Sequence, residues 1–511
     1  IGVINQLTIG SGTLTGNYTV CMIGNGNVFS FNSASTFSTS QINFYSTSGT
    51  INLPALTNGY STSINVSNNN TVISQTGDVT LNGLNITTDG FTGRTATWNT
   101  NGYALTVTGS ITVGVSGDTA TKTLNITNST LTVGGNFTIA STQAVFTTTG
   151  STVIFNGSGT QQLTSAGESF NNLTHSGSGT LQLQDALDVN GTFLNSAGTF
   201  NANNKNMNFA GDWSNTGSAT FTRGSGTLTF DGTTTLTNSS SNAADLGALT
   251  ITGTVTLGSN ATITSCSGAG TLNLGTGSYT LTISGTGSPL GVTTFNKGTG
   301  STVKYSGISA TNIATVAYNN LQFSGATTYS LTGNLTSGNA LTGNLTIDSG
   351  ATLDTTSANN YNIALAGNWD NNGTFTYNSG TVNFNGTTQF ITDTTFNNLT
   401  FAGSGLKTIS GVIVNGTLSM EGTATVSAAL TYGGSATLQY KGSSTQTTGA
   451  ELPATIFNLT VNNANGVILS ISPTVTGTLT LTSGKFLVSV TADSWQSKIY
   501  GAADPIFTYT I

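Results

Sequence analysis

The residues of this chain that could do chemistry are few and scattered. Asp185 and Asp188, in "LQDALDVNG", form the best local pair of carboxylates. Glycoside hydrolysis needs two carboxyl groups facing each other across a sugar. The odd spacing here puts them on opposite faces of an extended segment, so they read as turn residues. A polysaccharide lyase needs a basic residue with an acidic, calcium-binding cluster. The two arginines, Arg94 and Arg223, lie near no such cluster in the sequence. The single histidine, His175 in "NNLTHSGSG", has no neighbouring cysteine and no second histidine to complete a zinc site, and reads as an exposed strand or turn position. Calcium-binding Gly-Gly-x-Gly-x-Asp nonapeptides are absent, which leaves corner positions at Asp348, Asp354 or Asp370 as the remaining metal option. Trp213 and Trp369 share a repeat position with Phe137, which favours packing over a sugar-binding platform. No catalytic, cofactor-binding or metal-binding residue is therefore nominated. No cofactor is expected, and the chain reads as a non-enzyme.

What must position such residues follows from composition. Over 511 residues, charged side chains make up 5%, against about 25% in ordinary soluble proteins. The hydrophobic share of 36% and net charge of −7 exclude disorder driven by charge. The 66 glycines follow no three-residue period, which excludes collagen. Ten basic residues, scattered singly, argue against nucleic acid as a partner. No apolar run is long enough to form a membrane-spanning helix. Thr, Ser, Asn and Gly dominate, with β-branched and aromatic residues spaced among them, a mixture that favours strands and tight turns.

Two markers recur. "TVIFNG" from Thr152 returns as "TLTFDG" from Thr227, "TVKYSG" from Thr302, "TVNFNG" from Thr381 and "TLQYKG" from Thr437, at intervals that are nearly even at first and shortest at the end. A second marker follows each: "FNNLT", "LGALT", "YNNLQ", "FNNLT" and "IFNLT", whose leucines are Leu173, Leu249, Leu321, Leu399 and Leu459. Markers that keep step over such a length define a repeat array. Within it, short stretches such as "GTLTLTSG" and "GNLTIDSG" alternate apolar with hydroxyl or amide residues, then stop at Gly, Asn or Ser. The expected fold is all-β: a parallel β-helix (β-solenoid) built from imperfect super-repeats of about 75 residues, each holding about three coils of roughly 20 to 25 residues. A tandem of separate β-sandwiches is the rival, disfavoured by the uneven spacing and sparse proline. The stack also explains the missing charge, because a repeated Lys or Asp would face its own copy ~4.8 Å away.

Three regions are expected: an irregular β-rich section or cap at 1–75, the array at 76–490, and a segment of different character at 491–511. Cys21 and Cys266, far apart in sequence, would lie ~50 Å from each other in a straight stack, too far for a disulfide. They are expected as free thiols or as bonds between molecules. Sequons at Asn17, Asn65, Asn85, Asn125, Asn136, Asn172, Asn344 and Asn398 are as frequent as this composition produces by chance.

The last segment, "TADSWQSKIYGAADPIFTYTI", resembles the opening of an MBG-type domain, with Ala492, Lys498, Tyr500, Gly501, Asp504, Pro505, Tyr509 and Thr510 in the matching positions. The body is similar in texture to the repetitive solenoids of secreted bacterial adhesins of the filamentous-haemagglutinin and autotransporter sort. These resemblances imply an extracellular or cell-surface protein of bacteria, as does a chain beginning at Ile1 after loss of an export signal. Three roles remain open: a structural rod, stalk or filament; an adhesin binding glycans or other cells; and a Thr-based ice-binding surface. A polysaccharide-active β-helix enzyme is a minor alternative. Both termini read as strands without a polar cap, which points to homo-oligomers or filaments joined head to tail or by donated strands.

Overall fold

In the computed structural model the described residues are 2–4, 7–9, 13–22, 29–31, 36–44, 49–56, 63–66, 70–87, 93–117, 119–140, 143–487, 491–492 and 509–510. Alternation with a period of two has the expected consequence. In strand after strand, inward Leu, Val, Ile and Phe are buried while the intervening Thr, Gln and Asn are partly exposed. The fold is a parallel β-solenoid with coils of roughly 21 residues. Among the described residues its single helical turn is the 3-10 turn Ser337–Asn339.

The chain forms two compact units, Ile1–Thr282 with Gly291–Asn296, and Ile283–Leu290 with Lys297–Ile511. In the first, Val153 sits against Leu173, Leu173 against Phe193, Phe193 against Trp213 and Trp213 against Leu236, all in parallel register. In the second, the column runs Val382, Leu399, Leu418, Leu438, Leu459 and Leu479. Aromatic rings add to both cores: Phe193 and Trp213 stack at 5.9 Å, and Trp369 meets Phe375 edge-on at 4.8 Å. Each such pair contributes about 0.5–1.5 kcal/mol beyond its buried area. Trp213, Trp369 and Phe137 are all fully buried, in keeping with packing.

Coils of roughly 21 residues agree with the expected coil size, while the repeat period differs somewhat from the expected 75 residues. The two markers turn out to be consecutive rungs of one sheet. Leu173, Leu249, Leu321, Leu399 and Leu459 stack on Val153, Leu228, Val303, Val382 and Leu438. The chain between the two partners is longer at Val153–Leu173 than at Val382–Leu399. A corner can gain or lose residues without shifting the register of the strands it joins, so marker spacing drifts while stacking does not.

Within 491–511, Thr491–Ala492 pairs antiparallel with Tyr509–Thr510. Lys498, Tyr500, Gly501, Asp504 and Pro505, which carry the MBG resemblance, lie outside the described residues.

Candidate functional site

Of the carboxylates singled out above, all but Asp370 are hydrogen bonded to a neighbouring coil. Asp185 lies at a bend between strands and accepts hydrogen bonds from the Ser165 and Ala166 amides (2.9 and 2.6 Å), capping the coil before it. Asp188 lies on a strand with its side chain outward, and accepts from Asn208 Nδ2 at 3.1 Å. The same amide donates to Asp231 at 2.8 Å. An amide thus separates two acidic rungs, which avoids the like-charge stacking that the geometry penalises. Asp354 and Asp370 accept from Asn378 and Asn372, and Asp348 from Gln322, with Lys304 4.0 Å away. Among the described residues no three acidic, histidine or cysteine side chains gather as a metal site. Arg223 donates to the carbonyls of Gly226 and Leu246, bracing a corner.

His175 corrects its expectation. It is fully buried rather than exposed, on an inward position of Asn172–His175. It heads a ladder of polar side chains inside the core: His175 Nδ1 to Asn195 Oδ1 at 2.8 Å, Asn195 Nδ2 to Asn215 Oδ1 at 2.9 Å, and Asn215 Nδ2 to Asn238 Oδ1 at 3.0 Å. These residues are successive rung partners in the sheet. Asn195 Nδ2 also donates to the Thr220 carbonyl, so its Oδ1 must accept, and His175 carries its proton on Nδ1. His175 Nε2 is then a buried lone pair with no partner among the described residues. The interior is therefore not greasy throughout.

Burial lowers the His175 pKa, against an opposing pull from Asn195. The sign follows. Above about pH 6.5 the ring is neutral in both folded and unfolded chains. As pH falls below that, the unfolded chain takes a proton that the folded chain resists, so stability is lost, by at most ~1.4 kcal/mol per pH unit for one proton. His175→Asn, which keeps a ladder amide, is expected to show a smaller loss of hydrogen-exchange protection over 172–240 between pH 7.5 and 5.5 than the parent. Equal losses would remove His175 as the cause.

Corners carry a second device that composition alone did not single out. After the first marker, Gln161 accepts from the Gly157 amide at 2.8 Å and donates to the Val133 and Gly135 carbonyls of the preceding coil. Gln389 does the same with Gly386, Leu365 and Gly367. Gln446 accepts from Gly442 and donates to Met420. One coil above Gln389 sits Lys407, fully buried, whose Nζ donates to the carbonyls of Gly386, Thr387 and Ser404 and to Gln389 Oε1 at 2.7–3.1 Å. Burial pushes its amine down to about 8, and four acceptors keep it protonated at neutral pH. Lys122 is buried between Ala96 and Ala144, whose small side chains leave it room, and donates to the Ala120 carbonyl. Both lysines sit in phase with an inward residue, Ile409 and Leu124. Phase was the available signal, overridden by the habit of placing lysine outside.

Marker asparagines work across coils as well. The Oδ1 atoms of Asn172, Asn398 and Asn458 accept the backbone amides of Thr192, Thr417 and Thr478 on the following coil. Asn320, Asn344 and Asn368 form a continuous series of the same kind, ending on the Phe390 amide. Sequon asparagines Asn172, Asn344 and Asn398 thus already serve the stack.

Cys266 is a buried free thiol, its pKa pushed up to about 12 by burial. The side chain of Cys21 lies outside the described residues.

No protein-family model, curated protein or solved structure matches this chain. Function must accordingly be argued from the chain's own geometry, in which polar side chains join coil to coil.

Proposed function

We infer that this chain is a non-enzymatic structural protein, a stalk or self-assembling filament of the bacterial exterior. The observation that carries the reading is the employment of its polar groups. Asp185, Asp188, the corner glutamines, the inward asparagines and Lys407 are hydrogen bonded to neighbouring coils. Low charge and abundant Thr, Asn and Gly support an extracellular location.

Self-assembly has its own support in the second unit. Leu479 and Leu481 stack on the buried Leu459 and Val461, yet are 49% and 51% exposed. Their strand is the last of its sheet among the described residues. That ladder is parallel, so a contact with another copy would continue the stacking already present. The expected result is concentration-dependent association by light scattering, with filaments in electron micrographs. Leu479→Asp with Leu481→Asp should abolish both. A parent chain that stays monomeric at high concentration would overturn the filament.

An adhesive stalk is the second reading. It is favoured by an outward groove of about 430 Å³ lined by Asp188, Asn208, Thr227 and Thr229, groups suited to glycan hydroxyls. A glycan-array screen separates it from a purely structural role.

A further inference from the structure

Glu451 is the one acidic side chain that is buried among the described residues. Its Oε1 accepts from Tyr440 Oη at 2.9 Å and from the Gly449 amide at 2.7 Å, while Tyr432 Oη holds its backbone carbonyl at 2.7 Å. Its Oε2 accepts from no protein group among the described residues, and no basic side chain there is paired with it. The nearby Lys441 pairs instead with Glu421, at 3.4 Å. A buried carboxylate without a countercharge is costly. Its field also reaches its neighbours: burial first, and the Glu451 charge second, hold the Tyr432 and Tyr440 phenols well above their usual range.

This carboxylate lines a cavity of about 210 Å³ between two successive coils of the second unit. Lining it too are Thr423, Thr425, Ser444 and Thr447, which bring hydroxyls. The side chains offer one carboxyl group and several neutral acceptors. That set does not suit a divalent cation, which takes six or more oxygens and prefers several carboxylates. It does suit an ammonium group, whose three N–H donors can divide between Glu451 Oε2 and threonine hydroxyls.

We propose that this cavity binds a primary ammonium carried on a small polyhydroxy ligand, the chemical class of a single amino sugar. The charge is met by Glu451 and the ligand hydroxyls by the Ser and Thr rim. The cavity admits one ring, so selectivity lies in the amine. This activity is additional to the structural role and does not depend on filament formation.

The test is calorimetric titration of the full chain with glucosamine, glucose and N-acetylglucosamine. Glucosamine is expected to bind at least tenfold more tightly than either neutral sugar. Glu451→Gln should erase that preference. Because a buried substitution can damage folding, Thr425→Tyr, at an exposed rim position, supplies an independent arm. It should cut glucosamine affinity at least tenfold while leaving the circular dichroism spectrum unchanged. Equal affinity for glucosamine and glucose, no saturable binding to the parent, or undiminished binding by a folded Thr425→Tyr chain would each overturn the proposal.

Discussion

Gly403→Val is expected to unfold the coils around it, at a cost of about 3 kcal/mol or more. Gly403 belongs to a column with Gly386 and Gly422, in which each Cα is pressed against a backbone carbonyl one coil before. A Cβ on Gly403 would meet the Gly386 oxygen and the Asn385 carbonyl, both backbone, so no rotamer change relieves the collision. The Gly386 oxygen is already engaged, accepting from the Ser404 amide at 3.2 Å and from Lys407 Nζ at 2.7 Å. Moving the corner outward to fit valine would release both bonds and remove one of the acceptors of the buried Lys407 ammonium. Hydrogen exchange across 381–440, or a urea midpoint, reads the effect. Gly434→Ala is the control: nothing lies within 4 Å of its would-be Cβ, and its backbone is not in the left-handed region. That change should be neutral or stabilising by about 0.4–1 kcal/mol. Equal behaviour of the two variants would refute close approach as the reason for the column.

Asn195→Ala is expected to cost about 3–5 kcal/mol, because one truncation strands several buried groups at about 1–3 kcal/mol each. His175 Nδ1–H would lose its acceptor, Asn215 Oδ1 its donor, and the Thr220 carbonyl a further donor. Water cannot readily replace them, since His175, Asn195 and Asn215 are all fully buried. The ladder also predicts non-additivity. Replacing His175 and Asn195 together by leucine should cost less than the sum of the single replacements, with a coupling of about 0.5–3 kcal/mol. Strict additivity in chemical denaturation would mean that the ladder is a row of independent residues rather than a connected network.

These two cases mark where sequence reading ends. By itself the sequence determined the strand period, the inward Leu, Val and Phe, the turning of the chain at Gly and Asn, and hence a parallel solenoid. Those are properties of neighbouring residues, and the alternation at Thr180–Leu183 or Thr381–Phe384 carries them without any partner. Only the tertiary structure decided what each inward position touches. Asn195 and Asn215 look like turn residues until each is placed under its rung partner on the next coil, where an amide can donate upward and accept from below. Lys407 reads as a surface lysine until the Gln389 corner beneath it supplies acceptors. Gly403 reads as a flexible hinge until the Gly386 carbonyl lies against it. Glu451 gains its meaning from a cavity made with a separate coil. The physical reason is common to all four: stacking joins residues at a separation set by coil length, and coil length varies from corner to corner, so no local pattern encodes which groups will meet.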